Sequence, residues 1–419
     1  MAKGSLFLSS ILLASAGKIY SPGGLLVSGG KVVYAGEKQT ASLFAPAGAD
    51  RVELPGTVIF PGFVNAHTHL TIPELKWRAG GDGKDFVGWL LEVMRYRGES
   101  GEDDIRECVR ESLRQSIESG ITLAGEVTGG GLAPYEGAKI RLRVYFELLG
   151  MTEERWRETK NHIETCFDTI GGDGELLRPG ISPHSLYTCS RAALSWAGAF
   201  GRERNAPLQI HFAESAPEME FLQTGGGEIK ERIYAALAIS DGGFSGYGDG
   251  YTDTLTESIP PGGGLVHGTL LSGDQIHSLG NAGYRFVLCL RSNRYLTGAV
   301  PRVEDVVDGG HPFGIGTDSR GSCGRIDMFE EMRCLADAYH GSMRAGEFYG
   351  RLFDGATEGG AKIVGFNDLC GSLEEGRMAD FCALEISPDK DRVLSRIIEQ
   401  GEGRDLVDVF VSGESVIGY

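Results

Sequence analysis

An apolar run early in the chain reads Phe60-Pro61-Gly62-Phe63-Val64-Asn65-Ala66-His67-Thr68-His69. It has the length of a buried β-strand and ends in two histidines. Successive side chains of a strand point to opposite faces, so the spacing of His67 and His69 puts both imidazoles on one face. Two imidazoles directed at one point are part of a transition-metal site, whereas the ordinary alternative is a pair of polar histidines at a strand end.

Short apolar runs of this kind recur along the chain, separated by longer polar or helical stretches. Repeated βα units predict parallel strands, and eight of them close into a barrel of roughly 250 residues or more. We therefore predict an α/β protein with a (β/α)8 TIM barrel. The eight runs are Val58–Asn65, Ile121–Val127, Ile140–Leu148, Gly180–His184, Pro207–Ala213, Gly264–His267, Tyr284–Leu290 and Pro312–Asp318.

Both chain ends have the alternating pattern of strands, and neither end has enough strands to be stable alone. We predict one small β-sandwich domain from residues 1–57 and 370–419, and the hydrolase barrel from residues 58–369. The run Leu6–Leu13 also has the character of a leader peptide. A first β-strand is favoured because serines 9 and 10 interrupt the run and the following hairpin needs a partner. Residues 240–264 are rich in turn residues and predict an irregular insertion, either over the barrel mouth or on the surface.

Helices between the barrel strands are predicted from periodicity. Residues 105, 109, 113 and 117 are apolar and recur every four positions, so they share one helix face. Ser100 and Asp103 have the spacing of a capping box at the start of this helix.

The 419 residues carry a formal net charge of −18. An acidic surface repels nucleic acid and anionic lipid unless basic residues are gathered in one place, and the sequence has no basic run. No stretch approaches the ~20 apolar residues of a membrane-spanning helix. The eight cysteines include no C-x-x-C pair, which favours reduced thiols in a cytoplasmic protein. We expect neither nucleic acid nor a membrane as partner.

Further polar residues end other predicted strands. His211 ends the fifth run, His267 the sixth and Asp318 the eighth. Active sites of (β/α)8 barrels lie at the carboxyl ends of the strands, so these side chains are expected near His67 and His69. Each alone has an ordinary interpretation as a core histidine or a helix cap, but together they predict a metal site.

These residues lie in stretches that resemble the amidohydrolase superfamily, in its branch of nucleoside and nucleobase deaminases and chlorohydrolases. Within that branch, Asn65–Leu70 and Cys289–Asn293 resemble the aminofutalosine deaminases. The matching stretches follow one another over nearly the whole chain. They are Pro61–His69, Ser182–Thr188, His211–Glu214, Val266–Gly268, Arg291–Asn293, Gly316–Ser319 and Gly371–Asp380.

The resemblance implies a ligand set of His67, His69, His211 and Asp318 around one divalent ion. Zn2+ is the expected ion. Fe2+ and Mn2+ are alternatives, because the same ligands suit all three ions and the supply of each metal in the cell selects among them. Such an ion lowers the pKa of a bound water and yields a hydroxide nucleophile. The resemblance further implies that Asp318 takes part in catalysis, that Glu214 shuttles the proton and that His267 hydrogen-bonds the attacking water. The fourth strand ends in Ile181-Ser182-Pro183-His184 without the lysine of two-metal relatives, which favours one ion.

The implied reaction is removal of the 6-amino group of an adenine nucleoside, with 6-amino-6-deoxyfutalosine of the alternative menaquinone pathway as the expected substrate. Its benzoate needs a cation, for which arginines 95, 97, 291 and 294 are candidates. His184, Trp89, Asn293 and Ser319 are the expected substrate contacts. Alternatives are deamination of S-adenosylhomocysteine, methylthioadenosine, guanine or cytosine, triazine dechlorination, cleavage of a cyclic amide, or a non-catalytic scaffold. A homodimer also stays open.

Overall fold

The computed structural model describes residues 4–75, 85–240 and 243–418. Its strands, in chain order, are β1 (Ser5–Ser15), β2 (Lys18–Tyr20), β3 (Gly23–Ser28), β4 (Lys31–Glu37), β5 (Asp50–Pro61), β6 (Phe63–Thr68), β7 (Ile121–Thr128), β8 (Arg141–Leu148), β9 (Leu177–Pro183), β10 (Gln209–Phe212), β11 (Gly264–His267), β12 (Arg285–Leu288), β13 (Phe313–Ile315), β14 (Phe381–Glu385), β15 (Leu406–Val411) and β16 (Glu414–Ser415).

The α-helices of the described residues are, in chain order, α1 (Lys38–Phe44), α2 (Phe86–Glu99), α3 (Glu102–Glu118), α4 (Glu153–Ile170), α5 (Arg191–Glu203), α6 (Ala216–Thr224), α7 (Tyr251–Ser258), α8 (Gly273–Asn281), α9 (Leu290–Leu296), α10 (Val303–Asp308), α11 (Arg320–Cys323), α12 (Met328–Ala338), α13 (Ala345–Gly355), α14 (Glu358–Val364) and α15 (Val393–Gln400). None of these helices is long and apolar enough to cross a bilayer.

Eight parallel strands form the centre of the molecule, in two sheets of four, β6-β7-β8-β9 and β10-β11-β12-β13. The sheets join at both edges. Between β9 and β10, Ile181 bridges Leu208, and between β13 and β6 the Asp318 N–H donates to the His67 carbonyl at 3.1 Å. The two sheets are thus joined at both edges, which agrees with the predicted α/β fold of the TIM-barrel type.

Two details of the barrel differ from expectation. The predicted first run, 58–65, spans two strands, because β5 pairs with β14 as far as Pro61 and the barrel strand β6 begins only at Phe63. The chain passes from one sheet to the other at Gly62, where a Cβ would lie 2.2 Å from Oγ1 of Thr122. Between β7 and β8 the connection contains a short 3₁₀ turn, Ala133–Tyr135, in place of an α-helix.

The chain ends combine in one hydrogen-bonded sheet, in the order β16-β15-β14-β5-β1-β3-β4, with β2 paired to β1. This sheet curls strongly, since the ring of Phe7 on β1 lies 5.0 Å from the ring of Phe381 on β14 although β5 separates the two strands. The β-sandwich predicted from both chain ends takes the form of this one separate sheet. The apolar run Leu6–Leu13 lies within β1. The domain limits at residues 57 and 370 stay predictions.

The segment 240–264 is more regular than expected. It contains helix α7, whose Leu255 is fully buried. Arg191 of α5 donates to Oγ1 of Thr254 at 2.9 Å, which fixes α7 in the outer helical layer. Residues 241 and 242 lie outside the described residues.

The amphipathic helix predicted around residues 105–117 is α3, which buries Val109, Leu113 and Ile117. Its start is shifted by one residue from the predicted capping box. The Gly101 N–H donates to Oδ2 of Asp104 at 2.9 Å, while Ser100 ends α2 and donates its hydroxyl to the Tyr96 carbonyl.

A buried ion pair joins the amino ends of the barrel strands to the sheet that the two chain ends form. The guanidinium of Arg141, at the start of β8, donates to both carboxylate oxygens of Asp380 at 2.6 and 2.9 Å. Asp380 also accepts from the Ser412 N–H. Both charged side chains are 1% exposed or less, so the loss of one leaves the other buried without its counter-charge.

We predict that Asp380→Asn lowers the free energy of unfolding by about 3–5 kcal/mol, the usual cost of breaking a buried pair. The matched control is Glu158→Gln, which removes an exposed pair with Arg155 and should cost less than about 1 kcal/mol. Urea unfolding of both variants measures the difference. Equal midpoints for the two variants would contradict the assigned role of the buried pair.

Candidate metal centre

Four side chains predicted as ligands meet at the carboxyl ends of the barrel strands. His67 lies on β6, His69 follows it, and His211 lies on β10. The ligand nitrogens of these three histidines all lie within 4.8 Å of one another. Oδ1 of Asp318, just beyond β13, is 3.6 Å from Nε2 of His69 and 3.9 Å from Nε2 of His67. The structure therefore brings the whole predicted ligand set together.

Each histidine is held through its Nδ1 atom. Nδ1 of His67 donates to Oε1 of Gln209 at 3.1 Å, and the same amide donates to the Ala66 carbonyl, which fixes its orientation. Nδ1 of His69 donates to the Val127 carbonyl at 3.2 Å, and Nδ1 of His211 to the His184 carbonyl at 2.8 Å. In a neutral imidazole this leaves the Nε2 lone pair free, as in most metal-binding histidines.

The Nε2 atoms fit a divalent ion. Those of His69 and His211 lie 3.3 Å apart although both present lone pairs, which repel unless a cation lies between them. A tetrahedral ion with Zn–N distances of ~2.0–2.1 Å separates two ligand nitrogens by about 3.3 Å. Nε2 of His67 is buried and has no hydrogen-bond partner among the described residues. Three imidazoles and one carboxylate are a donor set suited to Zn2+, Fe2+ or Mn2+.

Burial keeps His67, His69 and His267 neutral. It lowers the pKa of His69 to about 4 and that of His267 to about 3. It also lowers the pKa of His67 well below its ordinary value, with His211 and His69 adding to the effect. A metal ligand must present an unprotonated nitrogen, so these electrostatics favour coordination.

Asp318 presents one oxygen to the histidines and keeps the other for two hydroxyls. Its Oδ2 accepts from Ser292 at 2.6 Å and from Ser322 at 2.7 Å. Burial acts to raise the pKa of Asp318, but His69 and His267 outweigh it and hold the pKa below the ordinary value. The carboxylate is therefore charged and oriented with Oδ1 toward the three rings.

Glu214 and His267 form a second group beside the ligands. Oε1 of Glu214 lies 3.5 Å from Nε2 of His267, and the rings of His267 and His211 are 5.5 Å apart. Nδ2 of Asn293 donates to Nδ1 of His267 at 3.0 Å, which places the ring proton on Nε2. Burial, together with the nearby charge of Asp318, raises the pKa of Glu214 well above its ordinary value. The pair thus combines a fixed N–H donor with a carboxyl group that holds a proton readily.

The turn that carries Glu214 is held by a neighbouring carboxylate. Glu218, on α6, accepts from the N–H groups of Ala213 and Glu214 at 3.0 and 2.7 Å. Ala213, His267 and Asp318 all have left-handed backbone, with φ of 53°, 72° and 59°. Side chains other than glycine rarely adopt this conformation, and such strain gathers where a fold orients functional groups.

The predicted substrate contacts lie at different depths. The ring of His184 is 4.9 Å from that of His211, beside the candidate ligands. Asn293 supports His267, and the hydroxyl of Ser319 lies 3.1 Å from that of Ser322, behind Asp318. Trp89 is buried in the core, and its Nε1 donates to the Gly321 carbonyl at 3.3 Å. Their contact with a substrate stays a prediction.

The guanidinium of Arg97 reaches the carboxyl end of β8. Nη1 of Arg97 donates at 2.8 Å to Oε2 of Glu147, the penultimate residue of β8. Arg95 pairs instead with Glu92 and Glu99 along the exposed face of α2. Arg291 donates to the carbonyls of Cys323 and Arg325, and Arg294 lies on α9.

Several supporting residues were missed by the sequence analysis. Gln209 lies two positions before His211 on β10, so the two-residue period of a strand could have identified it. Glu147 could have been noticed as a carboxylate near the carboxyl end of the run Ile140–Leu148. Ser292 carries no comparable signal, because its partner Asp318 lies 26 positions further along the chain. Ser322 and Glu218 bond residues four or five positions before them, but a serine or glutamate after a strand does not indicate such a contact by itself.

The similarity to known proteins agrees with this arrangement. The amidohydrolase family profile matches residues 58–416. A 5-methylthioadenosine/S-adenosylhomocysteine deaminase of Teredinibacter turnerae is 26% identical over 388 residues, which cover 88% of this chain and 81% of that protein.

Two solved structures share the fold. The Helicobacter pylori aminofutalosine deaminase in complex with methylthio-coformycin has a TM-score of 0.83 at 20% identity, covering 99% of this chain and all of that one. An adenosine deaminase from Xanthomonas campestris with bound zinc has a TM-score of 0.77 at 22% identity, covering 98% of this chain and 92% of that one. With a profile match over most of its length, the chain belongs to the amidohydrolase family.

Proposed function

We propose that this protein is a metal-dependent aminohydrolase that removes the 6-amino group of an adenine nucleoside. The observation that carries the proposal is the convergence of three histidine Nε2 atoms and Oδ1 of Asp318 beside the Glu214–His267 pair. Sequence relatives named as deaminases of adenine nucleosides support the substrate class. The zinc-bound adenosine deaminase of the same fold supports Zn2+ as the ion.

His67, His69, His211 and Asp318 would hold the ion. When bound, the ion supplies a water of lowered pKa and polarises groups that touch it. The chain's own residues then manage the protons. Glu214 would take one proton from the attacking water and deliver it to the ring nitrogen of the base, and would then take the second proton from the added hydroxyl and deliver it to the amino group, which leaves as ammonia. His267, with its proton on Nε2, would donate a hydrogen bond to the oxygen that attacks, and Asn293 keeps that proton in place.

The finer proposal names 6-amino-6-deoxyfutalosine as the substrate. Its benzoate would be recognised by Arg97, whose guanidinium reaches the carboxyl end of β8 and whose side chain is one-third exposed. Methylthioadenosine, which lacks a carboxylate, and S-adenosylhomocysteine, which has one, are the alternatives named by the sequence relatives. We place the reaction in the cytoplasm. The described cysteines form no disulfide, and thiols are kept reduced in that compartment.

The ligand set predicts one divalent ion per chain. We expect His211→Asn to reduce the metal content to near zero, since the remaining ligands no longer enclose the ion. His277→Asn is the matched control, because His277 lies on the outer helix α8 and pairs with His311. This variant should keep one ion per chain. Metal analysis after dialysis measures both. Full metal content in His211→Asn would contradict the assigned ligand set.

The role of Glu214 predicts a large kinetic effect at constant metal content. We expect Glu214→Gln to lower kcat by about 10²–10⁴, the usual contribution of a general acid and base. Glu220→Gln, on the exposed side of the same segment, is the control. The assay follows ammonia release and the change from adenine-like to hypoxanthine-like absorbance over a panel of adenosine analogues. A metal-loaded wild-type protein that leaves every analogue intact would overturn the proposed function.

The proposed role of Arg97 predicts a change in substrate preference. A charged hydrogen bond is worth about 1.5–3 kcal/mol, so Arg97→Met should lower kcat/KM for 6-amino-6-deoxyfutalosine about 10- to 100-fold relative to methylthioadenosine. Arg95→Met, two positions away on the exposed face of α2, should leave the ratio unchanged. If Arg97→Met left the ratio of the two kcat/KM values unchanged, another group would have to recognise the benzoate.

A further inference from the structure

Glu147 is a charged residue at the carboxyl end of a buried barrel strand. Along β8 the side chains alternate between the barrel interior and the outer helices. Tyr145 packs inside the barrel with Val64 and Val266 of other strands, whereas the ring of Phe146 lies 6.2 Å from that of Phe167 on α4. Glu147 follows the parity of Tyr145. Its side chain is therefore directed inward, at the end of the barrel where the candidate metal ligands meet.

The carboxylate of Glu147 is only half satisfied. Its side chain is 1% exposed, and Oε2 accepts from Nη1 of Arg97 at 2.8 Å. Oε1 is buried and has no hydrogen-bond partner within the described part of the chain. A buried acceptor without a donor costs the desolvation of that atom, so proteins rarely keep one unless another molecule supplies the donor.

The surroundings of Glu147 favour an uncharged donor. Burial acts to raise its pKa, but Arg97 and then His184 outweigh that effect and hold the pKa at about 2. The carboxylate is thus ionised and can only accept. Arg97 already balances its charge, so an ammonium group would bring a second cation against the guanidinium, whereas a hydroxyl adds a hydrogen bond without added charge.

The neighbours of Glu147 place its carboxylate near the candidate metal ligands. The neighbouring strand β9 is followed by His184, whose ring lies 4.9 Å from that of His211. Nδ1 of His184 is engaged by the hydroxyls of Ser185 and Thr188 at 3.1 and 3.0 Å, which leaves Nε2 for other contacts. Glu147 and His184 therefore offer neighbouring polar groups beside the metal ligands.

We propose that Glu147, oriented by Arg97, accepts a hydrogen bond from a sugar hydroxyl of the nucleoside and selects ribonucleosides over their deoxy counterparts. This inference rests on the proposed function, because it assigns the sugar of that substrate to a residue of the same site. Arg97 orients Glu147 through Nη1, and Glu147 contacts the sugar hydroxyl directly.

The test compares adenosine with 2′,3′-dideoxyadenosine in the metal-loaded full-length protein. We expect the wild type to favour adenosine in kcat/KM by about 100-fold or more, because a site built to bond a hydroxyl rejects the analogue that lacks it. Glu147→Gln should reduce this preference to less than about 10-fold. Glu126→Gln is the matched control: Glu126 is a buried carboxylate near the end of the adjacent β7, but both its oxygens have partners, the Leu70 N–H and the Tyr135 hydroxyl. The preference of Glu126→Gln for adenosine over 2′,3′-dideoxyadenosine should match that of the wild type.

A second measurement separates this inference from the proposed function. Calorimetric binding of purine riboside and its 2′,3′-dideoxy form needs no turnover and is read for the same three proteins. Equal binding of the two ligands by the wild type would overturn the role of Glu147 even if Glu147→Gln failed to fold. An unchanged preference in a folded Glu147→Gln variant would overturn it as well. Selective binding without ammonia release would overturn the proposed function alone and support the sugar contact.

Discussion

The hydrogen bonds between β6 and β13 close the ring of strands and position the candidate metal ligands in the same step. Asn65 and Thr317 exchange two bonds, from the amide to the hydroxyl at 2.8 Å and from the Thr317 N–H to the amide oxygen at 3.0 Å. The hydroxyl of Thr68 donates to the Asp318 carbonyl at 2.9 Å. The first and last barrel strands, some 250 residues apart along the chain, are thereby aligned so that Asp318 faces His67 and His69.

The centre of the barrel concentrates groups that are costly to bury. Three imidazoles, Asp318 and Glu214 are packed together, and Ala213, His267 and Asp318 hold left-handed backbone that costs of order 1–3 kcal/mol each. Polar partners offset part of this cost: Gln209 behind His67, two serines behind Asp318 and Glu218 behind the Glu214 turn. A bound cation would remove the remaining repulsion between the Nε2 atoms, so metal binding should also stabilise the folded state.

Much of the fold and the ligand cluster could be predicted because both depend on short-range periodicity. Strand β11 has the predicted limits, Gly264–His267, and histidines at strand ends meet once the strands are parallel. Other features depend on contacts between distant residues. The transition at Gly62 requires knowing that Thr122 lies behind it, and α3 starts at its own acidic cap one residue after the predicted one. The two-residue period puts Gln209 on the same face as His211, but its partner His67 lies 142 positions away, and no local pattern encodes that pairing.

The central claim is that His67, His69, His211 and Asp318 share one ion. A crystal structure of the metal-loaded protein, with anomalous data at the absorption edge of the metal, tests it most directly. The account predicts a single strong anomalous peak about 2.0–2.2 Å from three Nε2 atoms and one oxygen of Asp318. A peak elsewhere, or four side chains too far apart to reach one ion, would contradict it.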